Sequence, residues 1–509
     1  MRGSRDDIAA GKASVNVSLA NFVTGILGAV FFAYYARVLS VEELGILGSA
    51  TLAYTVFQYL GQFGFNRSAP SLISAAKVDG LRAANKIITG VIILSIVFSV
   101  AFIAPAFIFA AQLSQLTLKN VNQVQIFSLS AIIAGANAIA FDFDGITQGT
   151  LNFVALAYSN IVGQIVKIGI SLILLLSGYR VVAILVGLIF GSTGLASIMV
   201  ELPAILKTYE FVLPNLHDLR AIFNSSFPLH GVNLLYVLSM QIDLAILIAS
   251  RPTTEVGIYT VVLTISTQIP TLLFQPIQGS LVAFMSKVFK ETGTLERSFA
   301  RGSRLVAFVC VPTLIAAAAM SRSIVLLLSG PKYYGAVLPL VVTVFGMIPG
   351  GFSVLVWAAL QAHSRNGDIL KSTAIGTAAE TIAGILLIPH LGPLGAAATK
   401  AVLYSVSLVA AAYYLHAIFP LRIDTHVLSR LTIAACVYFI VPIVSLLWGH
   451  PLVTILTALL ATEFFLLIVK GFHILTPQDV EVILGSAPVK LGRITRSSFI
   501  SDLTDWLTT

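Results

Sequence analysis

Residues 160–176 are NIVGQIVKIGISLILLL, an apolar run with a single charged residue, Lys167, near its centre. A helix that crosses a bilayer needs about 20 mostly apolar residues, and this run with its flanks, 153–176, is long enough. A charge at the centre of such a helix costs about 2.5–3.5 kcal/mol on insertion scales. The stretch therefore predicts a transmembrane helix in which Lys167 has a partner or a function.

The composition of the whole chain supports a membrane protein. Its 509 residues are 57% hydrophobic and 10% charged, with a mean hydropathy of +0.94, whereas soluble domains carry about 25% charged residues. Cys310 and Cys436 lie in apolar runs, which favours packed thiols over a disulfide. The sequence contains no CxxC, HExxH or Walker motif, so we expect no catalytic residues, no metal site and no cofactor.

The 20-residue rule predicts an all-α polytopic protein with 14 spans. The predicted spans are 14–36, 44–64, 87–111, 124–148, 153–176, 181–206, 227–250, 256–283, 305–328, 337–361, 372–389, 393–419, 428–449 and 451–470. The first span has no signal-peptide cleavage site, so we interpret it as an uncleaved helix.

The distribution of basic residues predicts that both termini are cytoplasmic. With an even number of spans, the outward segments contain five basic residues: Arg37, Lys119, Arg180, Arg251 and Lys332. Three more lie within spans, which leaves 22 of the 30 Lys and Arg residues inside. Such a bias follows the positive-inside rule, and it explains the net charge of +8 without a nucleic-acid partner.

Two pairs of similar segments, about 212 residues apart, indicate an internal repeat. YYARVLSVEELGIL (34–47) resembles LIASRPTTEVGIY (247–259), and IVGQIVKIGISLIL (161–174) aligns with AIGTAAETIAGILL (374–387). We predict two pseudo-symmetric six-helix lobes with two appended helices. The predicted parts are an N-lobe (1–206), a cytoplasmic linker (207–226), a C-lobe (227–419), spans 13–14 (428–470) and a cytoplasmic tail (471–509).

The repeat places Lys167 opposite Glu380, and Lys400 is a third charge within a span. Repeats of this kind position a substrate path between the lobes near the midplane, where ionisable residues avoid lipid. Three interpretations remain open. Lys167 and Glu380 line a central cavity, or they form a structural ion pair, or Glu380 pairs with Lys400.

Polar residues mark further candidate cavity surfaces. Tyr54, Gln58 and Gln62 recur every four residues and share one helix face. Gln268 and Gln275 are further candidate cavity residues, in span 8. Their amides could contact sugar hydroxyls, or they could form interhelical hydrogen bonds. Asp243 in span 7 is a candidate site for a coupling ion or proton, as is Glu380; the alternative is that Asp243 caps a hydrated vestibule.

Two motifs resemble those of polysaccharide and oligosaccharide-lipid flippases. RVLSVEELGIL (37–47) is similar to their Arg-x-Leu-x-x-x-x-x-Gly signature, and GPLGAAATKAVLYSVS (392–407) is similar to the entry of their twelfth helix. The 14 spans and inside termini also match this branch of the multidrug/oligosaccharidyl-lipid/polysaccharide exporter superfamily. One position departs from the pattern, because Pro70 stands where the family often has Arg, and the nearest basic residue is Arg67.

The resemblance implies a multi-pass cell-membrane flippase that moves polyprenyl-(pyro)phosphate-linked glycans to the outer leaflet by alternating access. Its expected partners are the lipid-linked glycan, membrane lipids and glycan polymerases or glycosyltransferases, and we expect a monomer. Lys167 would be a counter-charge for the phosphate. Arg37 and Arg251 are candidate cavity residues as well, although both lie at helix ends, where a snorkelling anchor is the alternative.

The sequence is also compatible with two other functions. A cation-coupled multidrug exporter of the same superfamily would favour acidic over basic cavity residues. A membrane glycosyltransferase is the enzymatic alternative, since Asp142-Phe-Asp144 has the spacing of a metal-binding Asp-x-Asp motif, but the short loops leave no room for a catalytic domain.

Overall fold

The computed structural model describes residues 2–118, 124–191, 194–420, 425–448 and 451–471. Nearly all of these residues are helical, and no strand occurs among them. The all-α class predicted from the sequence is therefore confirmed. The chain divides into two compact units, Met1–Gly257 and Ile258–Thr509.

The first unit contains ten helices in its described part. They are α1 (Arg2–Val38), α2 (Val41–Gln62), α3 (Phe65–Ala76), α4 (Leu81–Ile108), α5 (Ala110–Leu118), α6 (Val124–Gly149), α7 (Phe153–Leu176), α8 (Arg180–Phe190), α9 (Leu195–Leu206) and α10 (Leu216–Ser250). Helix α6 packs against α2, α3, α4, α8 and α9. An apolar cluster that includes Phe65, Ile88, Ile146 and Ile222 joins α3, α4, α6 and α10.

The described helices of the second unit follow α11, which crosses the boundary between the units. They are α11 (Thr253–Ser266), α12 (Gln275–Thr292), α13 (Glu296–Ala319), α14 (Ser321–Leu328), α15 (Val337–Ala362), α16 (Asn366–Leu391), α17 (Pro393–His416), α18 (Thr425–Ala435), α19 (Ile440–Trp448) and α20 (Pro451–Gly471). Helix α17 packs against α15 and α16. A separate apolar cluster, which includes Ile315, Leu431 and Phe465, joins α13, α18 and α20.

Eleven of the described helical segments are long and apolar enough to cross a membrane. They correspond to predicted span 1 and predicted spans 3–12. The chain therefore has the helices of a multi-pass membrane protein. The predicted spans 44–64, 428–449 and 451–470 are also largely helical, as α2, as α18 with α19, and as α20, but they are not among the eleven. The total of 14 spans is not confirmed and stays a prediction.

Helix α2 starts with a hydrogen-bonded cap that is tied to the start of α8. Ser40 Oγ accepts from Glu43 N at 3.1 Å, and Glu43 Oε2 accepts from Ser40 N at 2.7 Å, which completes a capping box. The Arg180 guanidinium donates to both carboxylate oxygens of Glu43. This contact with Arg180 holds the pKa of the Glu43 carboxyl below its ordinary value.

Several predictions fall on parts of the chain outside the described residues. The loop that contains Lys119 and the tail from residue 472 onward belong to these parts. The orientation of the termini and the division into two symmetric lobes stay predictions.

Candidate functional site

Lys167 lies in the middle of α7, an uninterrupted helix. Asn152 caps this helix, since its side-chain oxygen accepts from Ala155 N at 3.2 Å. The side chain of Lys167 is half-buried, and its Nζ donates to Gln164 Oε1 at 3.4 Å. Among the described residues, no carboxylate lies within 4 Å of Lys167. The first unit therefore holds a cation in a membrane span without an acidic partner.

Small residues bring two other helices close to this lysine. A Cβ added to Gly187 of α8 would lie 2.8 Å from the Lys167 carbonyl oxygen, and one added to Gly191, which directly follows α8, would lie 2.8 Å from Lys167 Cβ. Helix α1 approaches the hydrogen-bond partner Gln164, because a Cβ at Gly28 would lie 3.3 Å from its Nε2. The lysine stem is thus held between backbones, which limits where its ammonium group can lie.

In the second unit, Glu380 of α16 pairs with Lys400 of α17. Lys400 Nζ lies 2.9 Å from Glu380 Oε1, and the two side chains are 6% and 0% exposed. The helices approach closely beside the pair, since a Cβ at Gly376 would lie 1.9 Å from Ser407 Oγ. Of the two partners considered for Glu380 from the sequence, Lys400 is the one the structure brings to it. Such a buried pair neutralises two charges that would otherwise be costly in a membrane interior.

The polar residues of α2 are directed into the helix packing of the first unit. Gln58 is buried, and its Oε1 accepts from Asn137 Nδ2 of α6 at 3.3 Å. Gln62 is fully buried, and neither atom of its amide has a hydrogen-bond partner among the described residues. Tyr54 is half-buried. The α2 stripe therefore forms part of an internal polar layer.

Gln268 and Gln275 of the second unit are both exposed. A π-helical turn, Pro270–Phe274, lies between them. Such turns are rare and concentrate at functional sites, and proline favours them because it removes a backbone donor. These two amides are thus accessible to a bound molecule.

The remaining predicted residues lie at helix ends or in a core. Arg251 forms two hydrogen bonds of 2.7 Å to the Glu255 carboxylate. Arg37 is exposed in the last turn of α1. Asp243 is fully buried in α10. The positions of Arg37 and Arg251 are also those of interfacial anchors.

The Asp142-Phe-Asp144 segment lies inside α6, and its two carboxyl groups face different helices. Asp142 Oδ2 accepts from Ser95 Oγ of α4 at 2.6 Å, whereas Asp144, two residues and about 200° further around the helix, lies on another face. A metal-binding Asp-x-Asp must present both carboxylates to one ion. Among the described residues, no group of three metal-ligating side chains is close enough to hold one. Asp142 and Asp144 therefore lie on different faces of α6.

Two polar clusters were missed in the sequence. Arg67 Nε donates to Asn233 Oδ1 at 2.5 Å, and Asn233 Nδ2 donates to Asn66 Oδ1 at 3.2 Å, which connects α3 to α10. The second is Glu201 of α9, whose carboxylate accepts from Thr147 Oγ1 at 2.7 Å and from Ser159 Oγ at 2.6 Å. A lone carboxylate in the apolar segment ASIMVELPAIL (196–206) was the available signal for Glu201, of the same kind that singled out Lys167.

Comparison with known proteins identifies related chains. Residues 11–289 match the family model described as polysaccharide biosynthesis protein. None of the curated protein sequences compared with the chain matches it.

Several solved structures share the fold at low identity. A lipid II flippase, MurJ, in an inward closed conformation has a TM-score of 0.72 at 13% identity, covering 90% of this chain and 99% of MurJ. An inward-facing multidrug resistance MATE family transporter of the MOP superfamily has a TM-score of 0.64 at 14% identity, covering 80% and 98%. A MOP superfamily transporter from Pyrococcus furiosus has a TM-score of 0.57 at 15% identity, covering 80% and 94%. These similarities establish the fold.

Proposed function

The chain belongs to the polysaccharide biosynthesis protein family, and from that premise we propose that it translocates a polyprenyl-(pyro)phosphate-linked oligosaccharide or polysaccharide repeat unit across the cell membrane. The lipid tail remains in the bilayer while the polar head passes through the protein by alternating access. The direction is from the cytoplasmic to the outer leaflet. The similarity of the fold to a lipid II flippase supports this class of substrate.

The proposal depends mainly on the position of Lys167 and on the groups that surround its ammonium group. It lies within a membrane span with Gln164 as its hydrogen-bond partner and no carboxylate within 4 Å among the described residues. Glu380, the acidic residue at the matched repeat position, has its own cation in Lys400 at 2.9 Å. A lysine that no acidic residue neutralises is suited to an anionic ligand, and the phosphate of a lipid-linked glycan is one.

The energetics favour this use of a cation. A phosphate brought to the middle of the membrane loses hydration, and an ammonium group nearby offsets part of that cost. Where the cytoplasm is negative, outward movement of an anion gains about 2.3 kcal/mol per charge for each 100 mV. The membrane potential therefore already favours outward movement of the phosphate. The main requirement on the protein is a positive charge that offsets the loss of hydration in the middle of the membrane.

The other predicted residues have supporting roles in this proposal. The exposed amides of Gln268 and Gln275 have the donors and acceptors that sugar hydroxyls require. Arg37 and Arg251 attract the anionic head at helix ends. Tyr54, Gln58, Gln62 and the Glu380–Lys400 pair maintain a polar interior, and Asp243 and Glu380 are the candidates for a coupling ion.

A reconstituted transport assay tests the proposal. Purified protein in liposomes should move a fluorescent lipid-linked glycan between leaflets. Lys167→Ala should abolish this movement with a nearly unchanged folded yield, and Lys167→Arg should retain part of it, because the positive charge is kept. Lys287→Ala is the control, since that lysine is exposed.

Two results would contradict the proposal. Full transport by well-folded Lys167→Ala protein would remove Lys167 as the counter-charge. Efflux of cationic drugs without glycan-lipid movement would favour the second candidate, a cation-coupled multidrug exporter, which the similarity to the MATE fold keeps open.

A further inference from the structure

A third basic residue within a predicted span, Arg322, lies in the second unit. It belongs to the apolar stretch LVAFVCVPTLIAAAAMSRSIVLLL (305–328) and is the second residue of α14. It follows Leu305 by 17 positions, which corresponds to about 26 Å of helix, and the hydrocarbon core of a bilayer is about 30 Å thick. In the predicted topology, Arg322 therefore lies in the outward part of this span.

The guanidinium group of Arg322 has no acceptor. Its Nε and Nη1 are both buried, and neither has a hydrogen-bond partner among the described residues. Nor does Arg322 form an ion pair in the described part of the chain. The other two basic residues within predicted spans differ, because Lys400 pairs with Glu380 and Lys167 donates to Gln164.

The elements that pack against α14 supply no acidic partner. This helix packs against α13, α15, α20 and the 3₁₀ turn Pro331–Ala336. Helix α15 and the turn contain no Asp or Glu. The one acidic residue of α13, Glu296, begins that helix 26 residues before Arg322, and the one of α20, Glu463, is exposed. An anion at Arg322 must therefore come from outside these elements.

Snorkelling does not account for this arrangement. An arginine that snorkels extends its guanidinium group into water, whereas Nε and Nη1 of Arg322 are covered by protein. A buried hydrogen-bonding group without a partner costs about 1–3 kcal/mol, and more when it is charged. A guanidinium group does not escape this cost by losing a proton. The structure is therefore suited to a ligand that accepts from these nitrogen atoms.

The position of Arg322 in the first turn of α14 adds to the electrostatic cost. Ile324 N donates to the Met320 carbonyl oxygen, the first hydrogen bond of the helix. The N–H groups that precede it have no partner within the helix, and the Ser321 hydroxyl donates to the Ala317 carbonyl oxygen instead of capping them. An uncapped helix start carries partial positive charge, which disfavours a cation beside it. A bound anion offsets both.

We propose that Arg322 binds a phosphate group, either of a membrane lipid or free in solution. The side chain as a whole is half-buried, so part of it remains open to a ligand. A guanidinium group forms charge-assisted hydrogen bonds with phosphate oxygens, often two at once, and phosphate is the anion that membrane phospholipids carry. The site lies in the second unit and does not depend on Lys167 or on the substrate proposed above.

Thermal unfolding of the full chain, purified in detergent and stripped of lipid, tests the proposal. The probes are inorganic phosphate and dihexanoyl phosphatidylglycerol, with sodium chloride and dihexanoylglycerol as the matching probes without phosphate, all at constant ionic strength. At least one phosphate probe should raise the unfolding midpoint by about 2 °C or more, with saturation. Arg322→Met should abolish this rise, and Arg322→Lys should keep part of it. Arg297→Met, which changes an exposed arginine, is the control and should keep the whole rise.

A parallel series in the Lys167→Ala protein removes any phosphate binding at that lysine, so that failure of this site and failure of the counter-charge are distinguished. A rise with inorganic phosphate shows that the phosphate group alone suffices, and a rise with phosphatidylglycerol alone assigns the site to a lipid. No rise with either probe in the wild-type protein overturns the proposal, whatever the variants do. An equal rise in Arg322→Met overturns it as well.

Discussion

Gly45 and Gly257 occupy reciprocal positions at the starts of α2 and α11. A Cβ on Gly45 would lie 2.0 Å from the carbonyl oxygen of Thr253, and a Cβ on Gly257 would lie 1.9 Å from that of Val41. Gly45 is four residues after Val41, and Gly257 is four residues after Thr253. Both glycines belong to the Glu-aliphatic-Gly-Ile segments that the repeat aligns. The two helix starts therefore touch backbone to backbone, and the contact has the reciprocity that an internal repeat predicts.

Gly45→Ala should lower the thermal unfolding midpoint of the purified protein. The added methyl group overlaps a backbone oxygen, which cannot rotate away, so the helix starts must separate at a cost of about 1–3 kcal/mol. Gly231→Ala is the matched control, because nothing lies within 4 Å of the Cβ it would add to α10. An equal midpoint for both variants would show that the contact tolerates separation.

Lys400→Met should destabilise the second unit more than the double variant Lys400→Met with Glu380→Gln. The single change leaves a buried carboxylate without its cation at 2.9 Å, which costs about 3–5 kcal/mol. The double change removes both charges and should recover much of the loss, a coupling that a double-mutant cycle of thermal midpoints measures. Additive effects of the two substitutions would contradict the ion pair.

The contact of Arg180 with Glu43 predicts a pH-dependent contribution to stability. The folded protein holds the pKa of Glu43 below its ordinary value, so the contribution is fully present above the pKa of the unfolded chain, about 4.3. It is lost as pH falls through the lowered pKa of the folded state. The difference in midpoint between wild type and Glu43→Gln should therefore be largest near neutral pH and shrink in acid. The exposed neighbour Glu42→Gln is the control, and a difference that grows in acid would contradict the sign.

Cysteine labelling tests the predicted orientation. In a background without Cys310 and Cys436, the two cysteines of the chain, an impermeant maleimide added outside cells should label a cysteine at the exposed Lys332. It should reach one at the exposed Thr294 only after the membrane is opened. Labelling of Thr294→Cys from outside intact cells would invert the topology and, with it, the direction proposed for transport.

The positions of most membrane helices could be predicted from the sequence because they depend on local properties. About 20 apolar residues in a row can satisfy their backbone polar groups in a membrane only as a helix, and this rule located α7 and α16. The capping residues of α2 are equally local, since Ser40 and Glu43 are three residues apart. Lys167 could be singled out for the same reason, as a charge inside an apolar run.

The partners of the charged residues depended on the tertiary structure. Glu380 could pair with Lys167 or Lys400 as far as the repeat and the spacing showed, and the packing of α16 on α17 selects Lys400. Asp142 and Asp144 look like one motif, but two residues turn a helix by about 200°. They therefore lie on different faces of α6, and the packing of α6 on α4 gives Asp142 its partner, Ser95. The sequence determines which residues a helix presents on each face. What each face contacts depends on the neighbouring helix, which is often distant in sequence and is brought there by the burial of apolar surface.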